Sequence, residues 1–250
     1  LGSNANASVT LPGVYVVTVT AANGCKSNAT ITITQNTTAP NAGITNNSGS
    51  AVLNCTLNTI SLTATGGVSY AWSGGLGNTA NASVSNVSNI TVTVTAANGC
   101  TATSNLAITQ NTTAPNAGIT NNSGTSTLTC SQASISLTAS GGSSYVWSGG
   151  LGNTANATAT ASGNYTVTVT GSNGCSATAS LAITQNTTAP TAGITNNSGS
   201  TVLTCSQNSI GLTATGGATY AWSGSLGSNA NASVTLPGVY VVTVTAANGC

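Results

Sequence analysis

The chain has 250 residues, with Lys26 as its one cation and no Asp, Glu or His. Acid–base catalysis near neutral pH depends on those three residue types in nearly every known arrangement, so we expect no enzyme. Calcium sites depend mainly on carboxylates and nucleic-acid sites on Lys and Arg, so we expect no metal, no cofactor and no nucleic acid.

A 75-residue repeat organises the chain. Cysteines stand at positions 25, 55, 100, 130, 175, 205 and 250, so their spacing alternates between 30 and 45 residues. The repeat architecture predicts four domains: the C-terminal half of a repeat at 1–37, complete repeats at 38–112 and 113–187, and a repeat lacking its last strand at 188–250. Residues 1–25 match residues 226–250 at every position, so we expect the sequence to be part of a longer array.

Apolar and polar residues alternate within each repeat, a period of two that predicts strands rather than helices. In the first complete repeat this pattern predicts strands at 42–46, 60–65, 68–73, 81–85, 90–96 and 103–109. Clusters of Gly, Asn and Ser between them predict turns, and no helix is expected. Such short antiparallel strands are typical of immunoglobulin-like β-sandwich domains. The predicted fold is all-β, with tandem sandwiches arranged head to tail as an extended rod.

A Trp on the third strand is predicted to lie in the sandwich core. In three repeats a Tyr near the start of the fifth strand is predicted to lie there as well. These residues are Trp72, Trp147, Trp222, Tyr15, Tyr165 and Tyr240. In the 38–112 repeat Ile90 takes the Tyr position, which excludes a hydroxyl-mediated corner there. Outward Thr rows leave a glycan- or ice-binding surface as a minor alternative, which rows of only three Thr on twisted sheets disfavour.

Several phrases resemble a known family. "ISLTATGG", "YAWSG", "PGVYVVTVTAANGC" and "ATITITQ" are similar to the tandem immunoglobulin/PKD-like repeats of giant Bacteroidota cell-surface proteins, the SprB-like gliding-motility adhesins. The resemblance implies export by the type IX secretion system, attachment to the outer membrane, and a role in adhesion or gliding. The chain departs from the PKD pattern at "WSGGLG", residues 72–77, where that family has an acidic turn.

Two function classes stay open at this stage. The first is a structural stalk whose partners are neighbouring repeats and whose tip, outside these residues, binds an external surface or polysaccharide. The second is a self-associating extracellular filament or sheath. Regularly spaced cysteines without a zinc-binding C-x-x-C pair indicate disulfides and an oxidising, extracellular environment. Since no apolar run approaches about 20 residues, the chain is not expected to be embedded in a membrane.

The sandwich topology distinguishes the possible disulfides. The connection between the first two strands and the turn between the last two lie at opposite ends of a domain, about 20 Å apart, whereas a disulfide needs Cα atoms within about 7 Å. This favours bridges between consecutive repeats, Cys55 with Cys175 and Cys130 with Cys250. The alternative is pairing within one repeat: Cys55 with Cys100, Cys130 with Cys175, and Cys205 with Cys250.

The missing carboxylates generate the first testable prediction. We expect a calcium chelator to leave the thermal melting curve unchanged, because Ca²⁺ sites of useful affinity rest on carboxylate ligands. Differential scanning calorimetry with and without EDTA measures this directly. A lower melting temperature in EDTA would reveal a site built from backbone, Asn and Thr oxygens.

Overall fold

The chain is all-β and consists of tandem β-sandwich domains. The computed structural model describes residues 4–250, so the first three residues of the predicted 1–37 repeat lie outside the described part. It divides into two compact units, Leu1–Asn111 and Thr112–Cys250. Within the described residues every sheet takes its strands from a single predicted repeat. The exact repeat boundaries stay predictions.

The first repeat contributes a β-hairpin. Its two strands are β1 (Gly13–Thr20) and β2 (Lys26–Ile33). They pair antiparallel, with Tyr15 opposite Ile31. Several of their large apolar side chains are exposed, among them Val16 and Val19, because within the described residues no second sheet covers the hairpin.

The second repeat forms a complete sandwich. Its strands are β3 (Gly43–Asn46), β4 (Val52–Leu53), β5 (Ile60–Thr65), β6 (Ser69–Trp72), β7 (Asn81–Val84), β8 (Ser88–Thr95) and β9 (Thr101–Gln110). One sheet has the order β3-β5-β7 and the other the order β4-β9-β8-β6. All neighbours are antiparallel except β4 and β9, which are parallel.

The third repeat has the same topology. Its strands are β10 (Gly118–Asn121), β11 (Thr127–Thr129), β12 (Ile135–Ser140), β13 (Ser144–Trp147), β14 (Asn156–Ala159), β15 (Gly163–Thr170) and β16 (Ser176–Asn186). The alternation on β15 buries Tyr165, Val167 and Val169 between the sheets, while the intervening Thr side chains face outward. Period-two patterning therefore places the core where the sequence predicts it.

The fourth repeat is open on one side. Its strands are β17 (Gly193–Asn196), β18 (Ile210–Thr215), β19 (Thr219–Trp222), β20 (Asn231–Val234) and β21 (Val242–Thr245). No strand of the described residues takes the place that β16 has in the third repeat. A cleft of about 710 Å³ occupies that place, lined by apolar residues such as Ile194, Leu212 and Tyr240. The last strand thus closes the core of each complete sandwich.

Three features refine the sequence expectations. The short parallel strands β4 and β11 were not predicted, because two or three residues are too few to show a period. Ser73–Gly75 forms a short 3-10 turn in which Gly74 has a non-helical φ of +67°, so the expectation of an all-β chain without helices is confirmed for the described residues. Tyr15 and Tyr240 are half-buried, since each lies in a repeat of which the described residues hold only a part, so their place in the core stays a prediction.

The Tyr residues nevertheless form the expected corner. The hydroxyls of Tyr15, Tyr165 and Tyr240 each donate to the carbonyl four residues earlier, at 2.9 Å. This bond fixes the chain where it enters the strand, as in other immunoglobulin-like domains. Ile90 is buried in the same position without a hydroxyl, so in that repeat packing alone holds the site.

The buried Trp residues generate a prediction. Trp147 is 4% exposed, and its ring N–H donates to the Thr154 carbonyl at 3.0 Å. Replacing Trp147 by Ala empties a core site and should lower the unfolding free energy of that domain by about 3 to 5 kcal/mol. Val146 is its neighbour on β13 and is 55% exposed, so Val146→Ala is the matched control, with an expected change within about 0.5 kcal/mol. Urea denaturation measures both, and equal effects would contradict the core assignment.

Candidate functional site at the domain junctions

Cys130 lies in a tight turn directly after β11. The Thr129 N–H donates to the Gln132 carbonyl at 2.9 Å, and the Gln132 N–H donates to the Thr129 hydroxyl at 3.0 Å. Since β11 runs parallel to β16 with Thr129 opposite Asn186, the turn lies where the chain leaves the domain. The same turn surrounds Cys205 in the fourth repeat.

Cys250 ends a second kind of turn, "AANGC". The Ala246 N–H donates to the Cys250 carbonyl at 2.8 Å, and the Gly249 N–H donates to the Ala246 carbonyl at 2.9 Å. The side-chain oxygen of Asn248 accepts from the Cys250 N–H at 3.2 Å. These three bonds determine where the cysteine lies.

Gly249 allows the two turns to meet. Its φ of +79° lies in the left-handed region that favours glycine. A Cβ atom there would also lie 2.7 Å from the Cβ of Ser131, next to Cys130. Gly24 has the same φ in the first repeat, yet a Cβ there would meet nothing within 4 Å. Backbone conformation thus requires glycine in both repeats, and close approach requires it at the 113–187/188–250 junction.

The disulfide between Cys130 and Cys250 joins the third repeat to the fourth. Their Cα atoms are 4.9 Å apart and 120 residues separate them in sequence. This is the pairing that the topology argument favours. Because one cysteine lies at the exit of its domain and the other at the entrance of the next, the bridge spans the junction.

The Asn248 side chain binds the linker at the same junction. Its Nδ2 donates to the Asn186 carbonyl at 3.2 Å, to the Asn186 side-chain oxygen at 3.0 Å and to the Thr188 carbonyl at 3.0 Å. Asn186 ends β16 and Thr188 lies in the segment that leads to β17. The turn that carries Cys250 therefore also holds the linker entering its own domain.

The linker contact recurs in the other repeats. Asn98 Nδ2 donates to the Asn36 side-chain oxygen at 3.0 Å and to the Thr38 carbonyl at 3.0 Å. Asn173 Nδ2 donates to the Thr113 carbonyl at 2.9 Å. We call Asn98, Asn173 and Asn248 the junction asparagines. Each stands two residues before a cysteine and binds the linker that precedes its domain.

The other cysteines decide between the disulfide alternatives. Cys55 and Cys175 are disulfide-bonded, whereas Cys25, Cys100 and Cys205 are free thiols. Pairing within a repeat is therefore wrong for Cys55 with Cys100, for Cys130 with Cys175, and for Cys205 with Cys250. The bridge between Cys55 and Cys175 stays a prediction.

Strand length explains why local pairing fails. Cys175 directly precedes Ser176, the first residue of β16. Cys130 directly follows Thr129, which lies opposite Asn186, the last residue of β16. Ten steps along a strand at about 3.3 Å each separate the two ends by about 33 Å. This exceeds the separation of about 20 Å expected from the sequence, and no disulfide spans it.

Sequence reasoning missed the junction asparagines, because "AANG" reads as an ordinary turn signal. The available signal was an Asn two residues before Cys100, Cys175 and Cys250, each 62 residues after the first residue of an "NTT" linker. An amide at such a place supplies a donor for the linker and an acceptor for the turn.

The turns that end at Cys100, Cys175 and Cys250 contain no charged residue. Lys26 is exposed and directly follows Cys25, which is itself exposed. Within residues 4–250 there is no helix with the length and apolarity that crossing a membrane requires.

Comparisons with known proteins give likenesses among solved structures alone. No protein-family model matches the chain, and no curated protein matches it. Among solved structures, the chain is similar to one described as "Structural insight into host cell surface retention of a 1.5-MDa bacterial ice-binding adhesin". That match has a TM-score of 0.42 and 17% sequence identity, and it covers 84% of each chain.

Disulfide mapping tests the junction assignment. Trypsin has a single site, Lys26, so the digest uses chymotrypsin, which cuts after Tyr, Trp and Leu and separates all seven cysteines. Without reductant, we expect peptides with Cys130 linked to peptides with Cys250, and peptides with Cys55 linked to peptides with Cys175. Reduced digests are the control, and recovery of Cys55 linked to Cys100 would contradict the prediction.

Proposed function

We propose that this chain is a stalk segment of a long extracellular cell-surface adhesin, in which tandem domains hold a binding tip away from the cell. The observation that carries the proposal is the Cys130–Cys250 disulfide, which joins consecutive domains covalently at their junction. A disulfide that crosses a junction contributes little to the core of either domain. Its main effect is to restrict the movement of one domain against the other.

The linker supports the same function. Six residues, "TTAPTA", separate β16 from β17, and they contain Pro190 but no Gly. Linkers with Pro and without Gly are stiffer than Gly/Ser linkers, and Asn248 additionally holds this one by hydrogen bonds. A chain of such junctions would transmit force along its length with little bending.

The domains themselves offer little to a ligand. The three Trp residues are 4 to 7% exposed, so they cannot serve as a stacking platform for sugars. Adhesion is therefore assigned to a tip outside these residues, and the repeats to a role without catalysis or cofactor. The sequence resemblance supports export by type IX secretion, attachment to the outer membrane of a Bacteroidota cell, and surface attachment or gliding.

A second candidate is lateral self-association into a filament or sheath. The observation in its favour is the outer face of the β4-β9-β8-β6 sheet, where Thr91, Thr93, Thr95 and Thr103 face outward without a charged neighbour on that sheet. Net charge far from zero keeps proteins apart, and the net charge of this chain is only +1. Copies of this surface therefore meet without electrostatic repulsion.

Small-angle X-ray scattering tests the stalk proposal. We expect the oxidised protein to scatter as a stiff elongated particle. We expect Cys130→Ser to increase the flexibility between the domains while their melting temperature changes little. Cys205→Ser is the matched control, because Cys205 lies in the same turn but is a free thiol. Scattering that is equally flexible in all three proteins would overturn the stalk proposal. Ordered bundles of the oxidised protein in electron micrographs would favour the second candidate.

A further inference from the structure

All four Asn-Gly pairs of the chain lie in the junction turns. They are Asn23-Gly24, Asn98-Gly99, Asn173-Gly174 and Asn248-Gly249, and a cysteine follows each. Asn-Gly is the dipeptide in which a side-chain amide is lost most readily, because glycine leaves the backbone nitrogen open to approach. The repeat thus places its most labile amides at the site that joins the domains.

We propose that each junction asparagine is a deamidation site, protected while its side chain binds the linker, and that its conversion to Asp or isoaspartate permanently loosens that junction. In the reaction, the backbone nitrogen of Gly99 loses its proton and attacks Cγ of Asn98. The new C–N bond closes a succinimide ring while the Cγ–Nδ2 bond breaks, and the proton leaves with the nitrogen as ammonia. Water then opens the ring at either carbonyl, and no oxidant or reductant is needed.

Three contacts oppose ring closure at Asn98. The Gly99 N–H, which must become the nucleophile, donates to the Ala96 carbonyl at 2.9 Å. The Asn98 side-chain oxygen accepts from the Cys100 N–H at 3.0 Å. The departing Nδ2 donates to the linker at Asn36 and Thr38. The amide must break all of these contacts before Cγ can turn onto the backbone nitrogen.

Asn23 provides an internal comparison. Its turn is the same, with the Gly24 N–H donating to Ala21 at 2.9 Å and the Cys25 N–H donating to the Asn23 side-chain oxygen at 3.1 Å. Within residues 4–250, however, the Nδ2 of Asn23 makes no hydrogen bond to a linker. Asn23 therefore differs from the junction asparagines in the linker contact and also in lying on a hairpin that no second sheet covers within the described residues.

The product is incompatible with the junction. A carboxylate has no N–H to donate, so it would face the linker carbonyls of Asn36 and Thr38 as a charged acceptor against two acceptors. Isoaspartate would in addition lengthen the backbone in the turn that holds the cysteine. The sequence has no Asp or Glu, so the first event introduces a carboxylate side chain where there was none, and each event lowers the net charge by one.

The experiment measures amide loss at each site in one molecule. The intact protein is incubated in mildly alkaline buffer, resolved by isoelectric focusing, digested at acid pH and mapped by mass spectrometry. Two hydrogen bonds worth about 1 kcal/mol each predict that Asn98 and Asn248 lose ammonia at least about tenfold more slowly than Asn23. Equal rates at the three sites would overturn the proposal.

A variant separates linker protection from the general rigidity of a folded domain. Asn36→Ala removes one acceptor of Asn98 and leaves the Asn98 turn and the Asn248 junction unchanged. Loss of one such bond should accelerate deamidation at Asn98 about fivefold while the rate at Asn248 stays constant. An unchanged rate at Asn98 would show that the linker does not protect the amide.

The loosening is tested with the product itself. Asn248→Asp should increase flexibility between the third and fourth repeats in small-angle scattering, whereas Asn23→Asp makes the same chemical change without a linker contact and should have no effect. Identical scattering of both variants would overturn the second half of the proposal. This outcome is independent of whether the array serves as a stalk or a filament.

Discussion

The length of the last strand determines the organisation of each junction. β16 begins directly after Cys175, and its end pairs with β11, which leads to Cys130. The ten residue steps of β16 therefore place these two cysteines at opposite ends of the sandwich. Local pairing is impossible across that distance, and the neighbouring domain supplies the nearer partner. The disulfide, the tight approach at Gly249 and the linker contact all follow from this placement.

The junction is held together without charge. Other extracellular repeat proteins often stiffen their junctions with Ca²⁺ and carboxylates, but this chain has neither carboxylates nor His. Its junction instead uses a covalent bridge and an amide that serves as donor to the linker and acceptor for its own turn. These interactions contain no ion pair, so added salt should weaken them little, because salt screens interactions between charges. The same uncharged character is what makes lateral association a physically reasonable alternative.

The amide also brings a chemical weakness to the junction. The turn needs glycine at positive φ, and the contact to the linker needs an Asn directly before it, so the structure requires the dipeptide most prone to lose its amide. The hydrogen bonds that stiffen the junction are the same bonds that hold this amide in place. Mechanical order and chemical protection are therefore linked at one residue.

Much of the fold was predictable from single positions. The alternation of Tyr165, Val167 and Val169 identified a half-buried strand, and one Trp per repeat identified the core, because side chains on a strand point alternately to its two faces. The strands β4 and β11 were not predictable, since two or three residues carry no period and their parallel pairing depends on a strand more than fifty residues later.

The sequence by itself determined the repeat length, the all-β class, the absence of the usual acid–base side chains and the two opposite positions of the cysteines, because each of these depends on composition or on local period. Only the tertiary structure decided that Cys130 joins Cys250 and that Asn98, Asn173 and Asn248 hold the linkers. These contacts join residues about 60 or 120 positions apart in sequence, and their partners become neighbours only after each sandwich has folded and the next domain has docked against its end.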